Sequence, residues 1–360
     1  MRKLRIAEFT DRFGFGGTEK TLYTFCKHLD KDKFDITAVA FGSDPASGRE
    51  QALRDLGIGV IISSKERLHE HLEKLGADIF HIHRGGWADP GPITAARDAG
   101  VPVIIEHNVF GRLDSSEENG MIDCHILISY SCAWRYQMMV RRPLVGPRYE
   151  VLYYPLEMDL YDRFGFDGRD FSSHKSIGRI GRDDNTKWDF GFLEAVPKVV
   201  SVFPDLEFHV MGITPEVYDA LKSWGLEKNL VVHPMTTDEN KIMEFYGGIS
   251  VFTHFASMGE TFGLVLAEAM AARLPVVTHL TPPLKDIAQA ELVNSGYNGF
   301  VAVDAGMYAD AVIALLSSPE NARLFGQRGY EKARASYDAP VITHGLEDIF
   351  MRHARRKGLV

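Results

Sequence analysis

GETFGLVLAEAMAARLPVV, residues 259–277, reads as a turn, a helix and the start of a strand. Gly259 to Gly263 form the turn. Leu264, Leu266, Ala267, Ala269, Met270 and Ala271 are strong helix formers, and they place a helix over 262–272. Residues 249–255 before the turn and 275–278 after the helix are short apolar runs of strand type. Strand, helix and strand in such close succession make one crossover unit of a parallel sheet.

The same rhythm runs outward in both directions. Strands are expected at 4–10, 35–42, 78–83, 102–107, 125–130 and 150–154, then at 176–182, 207–212, 230–233, 249–255, 275–278 and 300–303. In the second series the helices fall near 190–202, 215–224, 239–246, 262–272 and 309–316. The polar, aperiodic stretch 155–173 separates the two series, and from Glu320 onward only helices follow. The fold class is therefore α/β, with two doubly wound parallel-sheet domains facing across a cleft. One domain spans 1–155 and the other 156–338. Ligands of such sheets sit beyond the carboxyl ends of the strands.

Bulk properties narrow the function. A chain of 360 residues, 45% hydrophobic and 25% charged, suits two ordinary soluble domains. A net charge of −9 argues against nucleic acid as a partner. Two basic clusters, Arg141, Arg142 and Arg148, and His353, Arg355, Arg356 and Lys357, are candidate contacts for an anionic membrane face. Three scattered cysteines, Cys26, Cys124 and Cys132, fit a reducing compartment. There is no signal-type start and no apolar run of membrane-spanning length, so the expected location is cytoplasmic.

Three constellations could carry chemistry. The start of the expected 262–272 helix presents the backbone N–H groups of Thr261, Phe262 and Gly263, suited to a phosphate. Glu260 stands at its mouth, and Glu268 is expected about 10 Å further along the axis, so each carboxylate can hold one end of a nucleotide-sugar. In SIGRIGRDDNTKW, Arg182 and Lys187 flank a polar loop after a strand and could clamp a diphosphate, with Arg179 a rival for Arg182. In the first domain, GFGGTEK places Gly16, Gly17, Thr18 and Glu19 after the opening strand, where glycines let the backbone approach an anion. Glu19 occupies the third glycine position of a dinucleotide motif, which argues against a dehydrogenase. His81 and His83 share one strand face and His107 closes PVIIEHN, followed by Asn108. Without neighbouring cysteines or clustered carboxylates, no metal is expected there.

Together these segments resemble the retaining GT-B glycosyltransferases of family 4 (glycosyltransferase group 1). GGTE, DIFHIH, VIIEHN, GRDDNTK, GETFGLVLAEAM and NSGYNGFVAV each match a family segment in order. Departures are Trp188 for a glycine after the clamp lysine, Arg273 for a small residue, and TPPLKDI, residues 281–287, for a glycine-rich turn. The resemblance implies two Rossmann-like domains, with the last helix, about 339–360, returning to the first. It implies retaining, metal-independent transfer of a sugar from a UDP-, GDP- or ADP-linked donor, without a cofactor, to a glycan, lipid-linked or small-molecule hydroxyl. Arg182, Lys187, Glu260 and His107 would be catalytic. Glu268, Thr261, Phe262, Gly263, Gly16, Gly17 and Arg179 would hold the donor, and Thr18, Glu19, His83 and Asn108 would face the acceptor. A nucleotide-sugar epimerase or hydrolase, or a non-catalytic nucleotide-sugar binder, are the alternatives on the same fold.

Overall fold

The computed structural model describes residues 2–282 and 285–360. Pro283 and Leu284 of the unusual TPPLKDI turn lie outside the described residues. The chain divides into two compact units, one of residues 1–155 with 339–360, the other of residues 156–338.

The first unit holds seven parallel strands, β1 (Leu4–Phe13), β2 (Phe34–Ser43), β3 (Gly59–Ile62), β4 (Ile79–Arg84), β5 (Val103–Asn108), β6 (Cys124–Leu127) and β7 (Tyr149–Val151), in the order β3-β2-β1-β4-β5-β6-β7. The second holds β8 (Ser176–Ile180), β9 (Glu207–Met211), β10 (Leu230–His233), β11 (Val251–Thr253), β12 (Val276–His279) and β13 (Gly299–Ala302), in the order β10-β9-β8-β11-β12-β13. Both orders run outward from a central pair, and the chain reverses direction across it. These topological switch points lie between β1 and β4 and between β8 and β11. Ligands of such sheets bind beyond the carboxyl ends of the strands at a switch point.

Parallel sheets covered by helices on both faces bury their strands completely, and β4, β5, β6, β8 and β12 are buried at every residue. In the first unit one face packs Leu4, Ile6, Ile79 and Val103 against Leu22, Phe25 and the last helix, Ala339–Arg356, through Ile342, Leu346 and Phe350. The other face packs Phe9, Phe80 and Ile82 against Leu68, Leu72 and Ile93.

Several boundaries differ from the sequence expectations. β3 was not anticipated. Its GVII run is short and only half buried at the sheet edge, which leaves no alternation to read. The strand expected over 125–130 stops at Leu127, because Ser129 caps the helix Tyr130–Val140 by accepting from the Cys132 N–H at 3.0 Å. The helix expected over 190–202 is two helices, Phe190–Leu193 and Ala195–Val202, since Pro197 has no N–H for the carbonyl four residues back. The supposedly irregular 155–173 stretch holds a helix, Met158–Phe164, and its half-buried Arg169 donates to the carbonyls of Gly247 (3.2 Å), Ile249 (2.5 Å) and Ala272 (3.0 Å). Among the described residues no helix is long and apolar enough to cross a membrane.

Candidate active site

At the switch point of the second sheet, β8 delivers the loop Gly181–Lys187 and β11 delivers the loop His254–Gly263. The Thr186 carbonyl ties the two together, accepting from the Ser257 hydroxyl at 3.0 Å and from the Met258 N–H at 3.4 Å. Asp184 shapes the first loop by accepting from the Thr186 N–H at 2.8 Å, which starts the short turn ending at Lys187. The second loop is fixed by Gly259. Its φ of 72° is left-handed, and a Cβ there would lie 1.8 Å from the Asp286 carbonyl oxygen. Gly263, with φ of 94°, then turns the chain into the helix Leu264–Ala271, whose start has no side-chain cap. Its first N–H groups are left for a ligand or solvent.

The two loops join at one ion pair. Lys187 Nζ lies 2.8 Å from Glu260 Oε1, and His254 Nε2 reaches the same oxygen at 3.0 Å. The Glu260 backbone is held from behind, its N–H donating to Gln289 Oε1 at 3.0 Å and its carbonyl accepting from Ala288 N–H at 2.9 Å. Buried Gln289 in turn donates to the His279 carbonyl at 3.1 Å. Burial alone would raise the Glu260 carboxyl, but the Lys187 ammonium and the His254 bond overcome it and hold the group well below the usual carboxylate range. Burial lowers His254, reinforced by the nearby Arg179 and Lys187 charges and opposed by Glu260. The arrangement is a fixed carboxylate beside a lysine, at the mouth of an uncapped helix.

Residues 174–318 match the family model described as glycosyl transferases group 1. That match lies within the second unit. A phosphatidyl-myo-inositol mannosyltransferase of Mycobacterium leprae is 27% identical over 181 residues, 49% of this chain and 46% of that protein. The match thus spans about half the length of that curated relative. Across the whole chain, HepE of Anabaena, solved in complex with UDP and glucose, superposes with a TM-score of 0.76 at 15% identity, covering 97% of this chain and 100% of that one. A glycosyltransferase from Rickettsia africae ESF-5 does so at 0.78 and 13% identity, covering 98% and 99%. These likenesses establish the two-sheet GT-B fold.

Within the second unit, the remaining expected residues separate into two groups. Arg182, its side chain 60% exposed and 3.9 Å from Asp184, is available on the same loop as Lys187. Arg179 is not available. It is buried inside β8, with its guanidinium 4.0 Å from the Trp188 ring centroid and 5.0 Å from that of Phe255. Trp188, which replaces a glycine of the family pattern, is thus the lid over a structural arginine. Burial brings Arg179 down to about 10. The helix starts at Leu264, two residues later than expected, so Glu268 lies about 6 Å along the axis rather than 10 Å. Glu268 is buried and accepts from the Tyr246 hydroxyl at 2.9 Å, which rules out a solvated polar face. Thr261 is half-buried, whereas Phe262 is buried edge-on to Tyr337 at 5.3 Å.

In the first unit, Gly16 caps the helix Gly17–His28 without a side-chain bond, and the Glu19 carboxylate folds back over it. Gly17 is exposed and Thr18 half-buried at this turn beside the first switch point. The histidines sit elsewhere than expected. His81, His83 and His107 are all buried, and their partner is Glu8 on β1. Glu8 accepts from His81 Nδ1 at 2.8 Å and lies 3.3 Å from His83 Nε2, while His107 Nδ1 is 3.2 Å from His81 Nε2. The reading that no carboxylate neighbours these histidines is thereby corrected. His107, expected at the sugar, and His83, expected at the acceptor, are both buried, with their ring centroids 5.0 Å apart. Asn108 is likewise occupied, clamping the turn it opens by donating to the Arg112 carbonyl at 2.8 Å. A second buried network was missed on the opposite face. Glu106 accepts from Arg84 Nε at 2.6 Å and pairs with His125 Nδ1 at 2.5 Å, and Arg84 also reaches Asp114 at 2.7 Å.

Proposed function

We propose that the chain transfers a sugar from a nucleoside-diphosphate donor to an acceptor hydroxyl, with retention at the anomeric carbon. The observation that carries this reading is the Lys187–Glu260 pair at the mouth of an uncapped helix, at the β8–β11 switch point. In this account the second unit holds the donor. Lys187, Arg182 and the N–H groups at the helix start meet the diphosphate. Glu260 accepts from sugar hydroxyls, using Oε2, which takes neither the Lys187 nor the His254 bond. Glu268 accepts from the ribose. As the bond from the anomeric carbon to the phosphate breaks, its electron pair leaves with the nucleoside diphosphate. The fixed cations stabilise that charge where it develops. Glu260 is committed to Lys187 and His254, which disfavours it as a covalent nucleophile. Retention then requires the acceptor to approach on the face the phosphate leaves, giving its proton to the departing phosphate oxygen. The cations supply the positive charge this step needs from the protein itself, so transfer proceeds without a metal. The test is incubation with UDP-, GDP- and ADP-sugars, with and without a panel of hydroxyl acceptors. Transfer with only slow donor hydrolysis in the acceptor's absence is the expected result. Full-speed turnover of donor alone would make it an epimerase or hydrolase, and binding without turnover a non-catalytic relative.

The first unit is proposed to take the acceptor, and one surface favours a lipid-linked one. On the helix Tyr130–Val140, Tyr130, Trp134 and Met138 are 65%, 55% and 60% exposed and lie on one stripe. Residues 124–149 carry Arg135, Arg141, Arg142 and Arg148 and no acidic residue, in a chain of net charge −9. Of the four arginines, Arg141 and Arg142 are exposed, and exposed aromatic and basic side chains in one segment suit an anionic lipid surface. The M. leprae relative is named a phosphatidyl-myo-inositol mannosyltransferase, in keeping with this. At about 1 kcal/mol per basic side chain, Arg141→Ser with Arg142→Ser should weaken binding to anionic vesicles roughly 30-fold. Vesicle sedimentation unchanged by that pair would remove the surface from the account.

A further inference from the structure

At the opposite end of β8 from the clamp loop, a second group of polar side chains converges with no part in sugar transfer. His174 lies on the segment leading into β8, and Glu207 and His209 are the first and third residues of β9. Glu207 Oε2 is 2.9 Å from His174 Nε2 and 2.9 Å from His209 Nε2. One donor atom from each of the three residues lies within 4.8 Å of the others. Ligands of a tetrahedral zinc ion, at about 2.0–2.2 Å from the metal, stand roughly 3.3 Å from one another. Opening this cluster by a few tenths of an ångström makes room for the ion.

We propose that His174, Glu207 and His209 bind a first-row divalent cation of the zinc class, with the fourth position open to water. Two imidazoles and one carboxylate form a donor set suited to such ions. The ligands are held in advance. His209 turns its other nitrogen, Nδ1, to His233 Nε2 at 3.0 Å, and the two rings stack at 5.2 Å. His233 is itself fixed edge-on to Phe245 at 5.3 Å. A ligating histidine whose second nitrogen is bonded is the usual second layer of a metal site. The His174 carbonyl accepts from the Ser250 hydroxyl at 3.0 Å, which anchors the third ligand's backbone. His209 and His233 also line a cavity of about 260 Å3 with Lys241, Glu244 and Phe245. The side chain of His209 is 12% exposed and that of His174 50%, so an ion can enter from solvent. Binding would tie the chain where it enters the second sheet to the neighbouring strand, a clip on stability rather than a part of the reaction.

The experiment is competition for Zn2+ between the chelator-stripped full chain and a chromophoric zinc indicator, with thermal melts alongside. One equivalent is expected to bind and to raise the melting temperature, because the ion binds the native form alone. His174→Ala, at a half-exposed site where folding is safe, should weaken uptake at least tenfold and abolish the rise. His233→Gln should weaken uptake about 10- to 100-fold by freeing the His209 ring. Sugar transfer should be the same with and without the ion. No uptake by the unaltered chain would overturn the proposal. So would uptake undiminished in His174→Ala, including the case in which it is lost in His81→Ala and the ion therefore sits among the buried histidines of the first unit.

Discussion

Lys187→Ala should lower kcat by about 10²–10³, equivalent to roughly 3–4 kcal/mol of barrier, the typical loss when one fixed donor to a developing oxyanion is removed. The effect on stability should be far smaller. Lys187 is part-exposed, and Glu260 keeps its bond from His254 at 3.0 Å. At about 2–4 °C per kcal/mol for a unit of this size, a loss of 1 to 2 kcal/mol moves the melting temperature by only a few degrees. Arg182→Ala should move in the same direction by less, because its guanidinium is solvated and has to be ordered by the donor. Arg179→Ala should behave differently. It removes a buried cation packed between Trp188 and Phe255, so it should unfold the second unit rather than slow it selectively. A Lys187→Ala enzyme with kcat within twofold of the unaltered chain would show that the diphosphate is held elsewhere.

The second large effect is on stability in mild acid. Burial, with the neighbouring His81 charge, lowers His83 to about 4, and burial with the His254 charge lowers His279 to about 4. His107 and His254 are lowered in the same sense. An unfolded histidine titrates near 6.5. Above that pH neither state binds the proton, and the full stability is present. As the pH falls from about 6.5 towards 4, the unfolded chain takes up protons that the folded one refuses, so stability is lost. His83 and His279 alone give nearly two protons near pH 5, or about 2–3 kcal/mol per pH unit. The carboxylates add little between pH 6.5 and 5. Glu8, held at about 2 against its burial by His81 and His83, loses its contribution only below about 4.5. Urea midpoints should therefore drop steeply between pH 6.5 and 5, and a flat profile would mean that these rings are not neutral and buried.

How far the sequence reached depended on how local the signal was. The alternation of apolar runs and helical spacing was enough for two parallel sheets, since each crossover unit is written in consecutive residues. The Gly181–Lys187 and Gly259–Gly263 loops were equally legible, because glycine and polar clusters mark the strand ends that face a ligand. Arg179 against Arg182 was decidable in principle. Ile177 and Arg179 share a face of β8, and a central strand covered on both sides has no outward face. What the sequence hid were partners distant along the chain. Glu8 meets His81 from 73 residues away, Gln289 holds the Glu260 backbone from 29 away, and Arg84 finds Glu106 and Asp114 on another strand and loop. The same distance effect hid the burial of His107, whose ring lies beside His81 and His83 of β4.

The central claim is that a nucleoside diphosphate lies between Lys187 and the Leu264–Ala271 helix, with Glu268 at its ribose. Calorimetric titration of UDP, GDP and ADP into the unaltered chain, Lys187→Ala and Glu268→Gln tests it most directly, the glutamine still accepting from Tyr246. One nucleotide should bind with a stoichiometry of one, and its Kd should rise at least tenfold in each variant while the melting temperatures stay close to that of the unaltered chain. No binding by any of the three nucleotides, or a Kd within twofold of the unaltered value in both variants, would contradict the account.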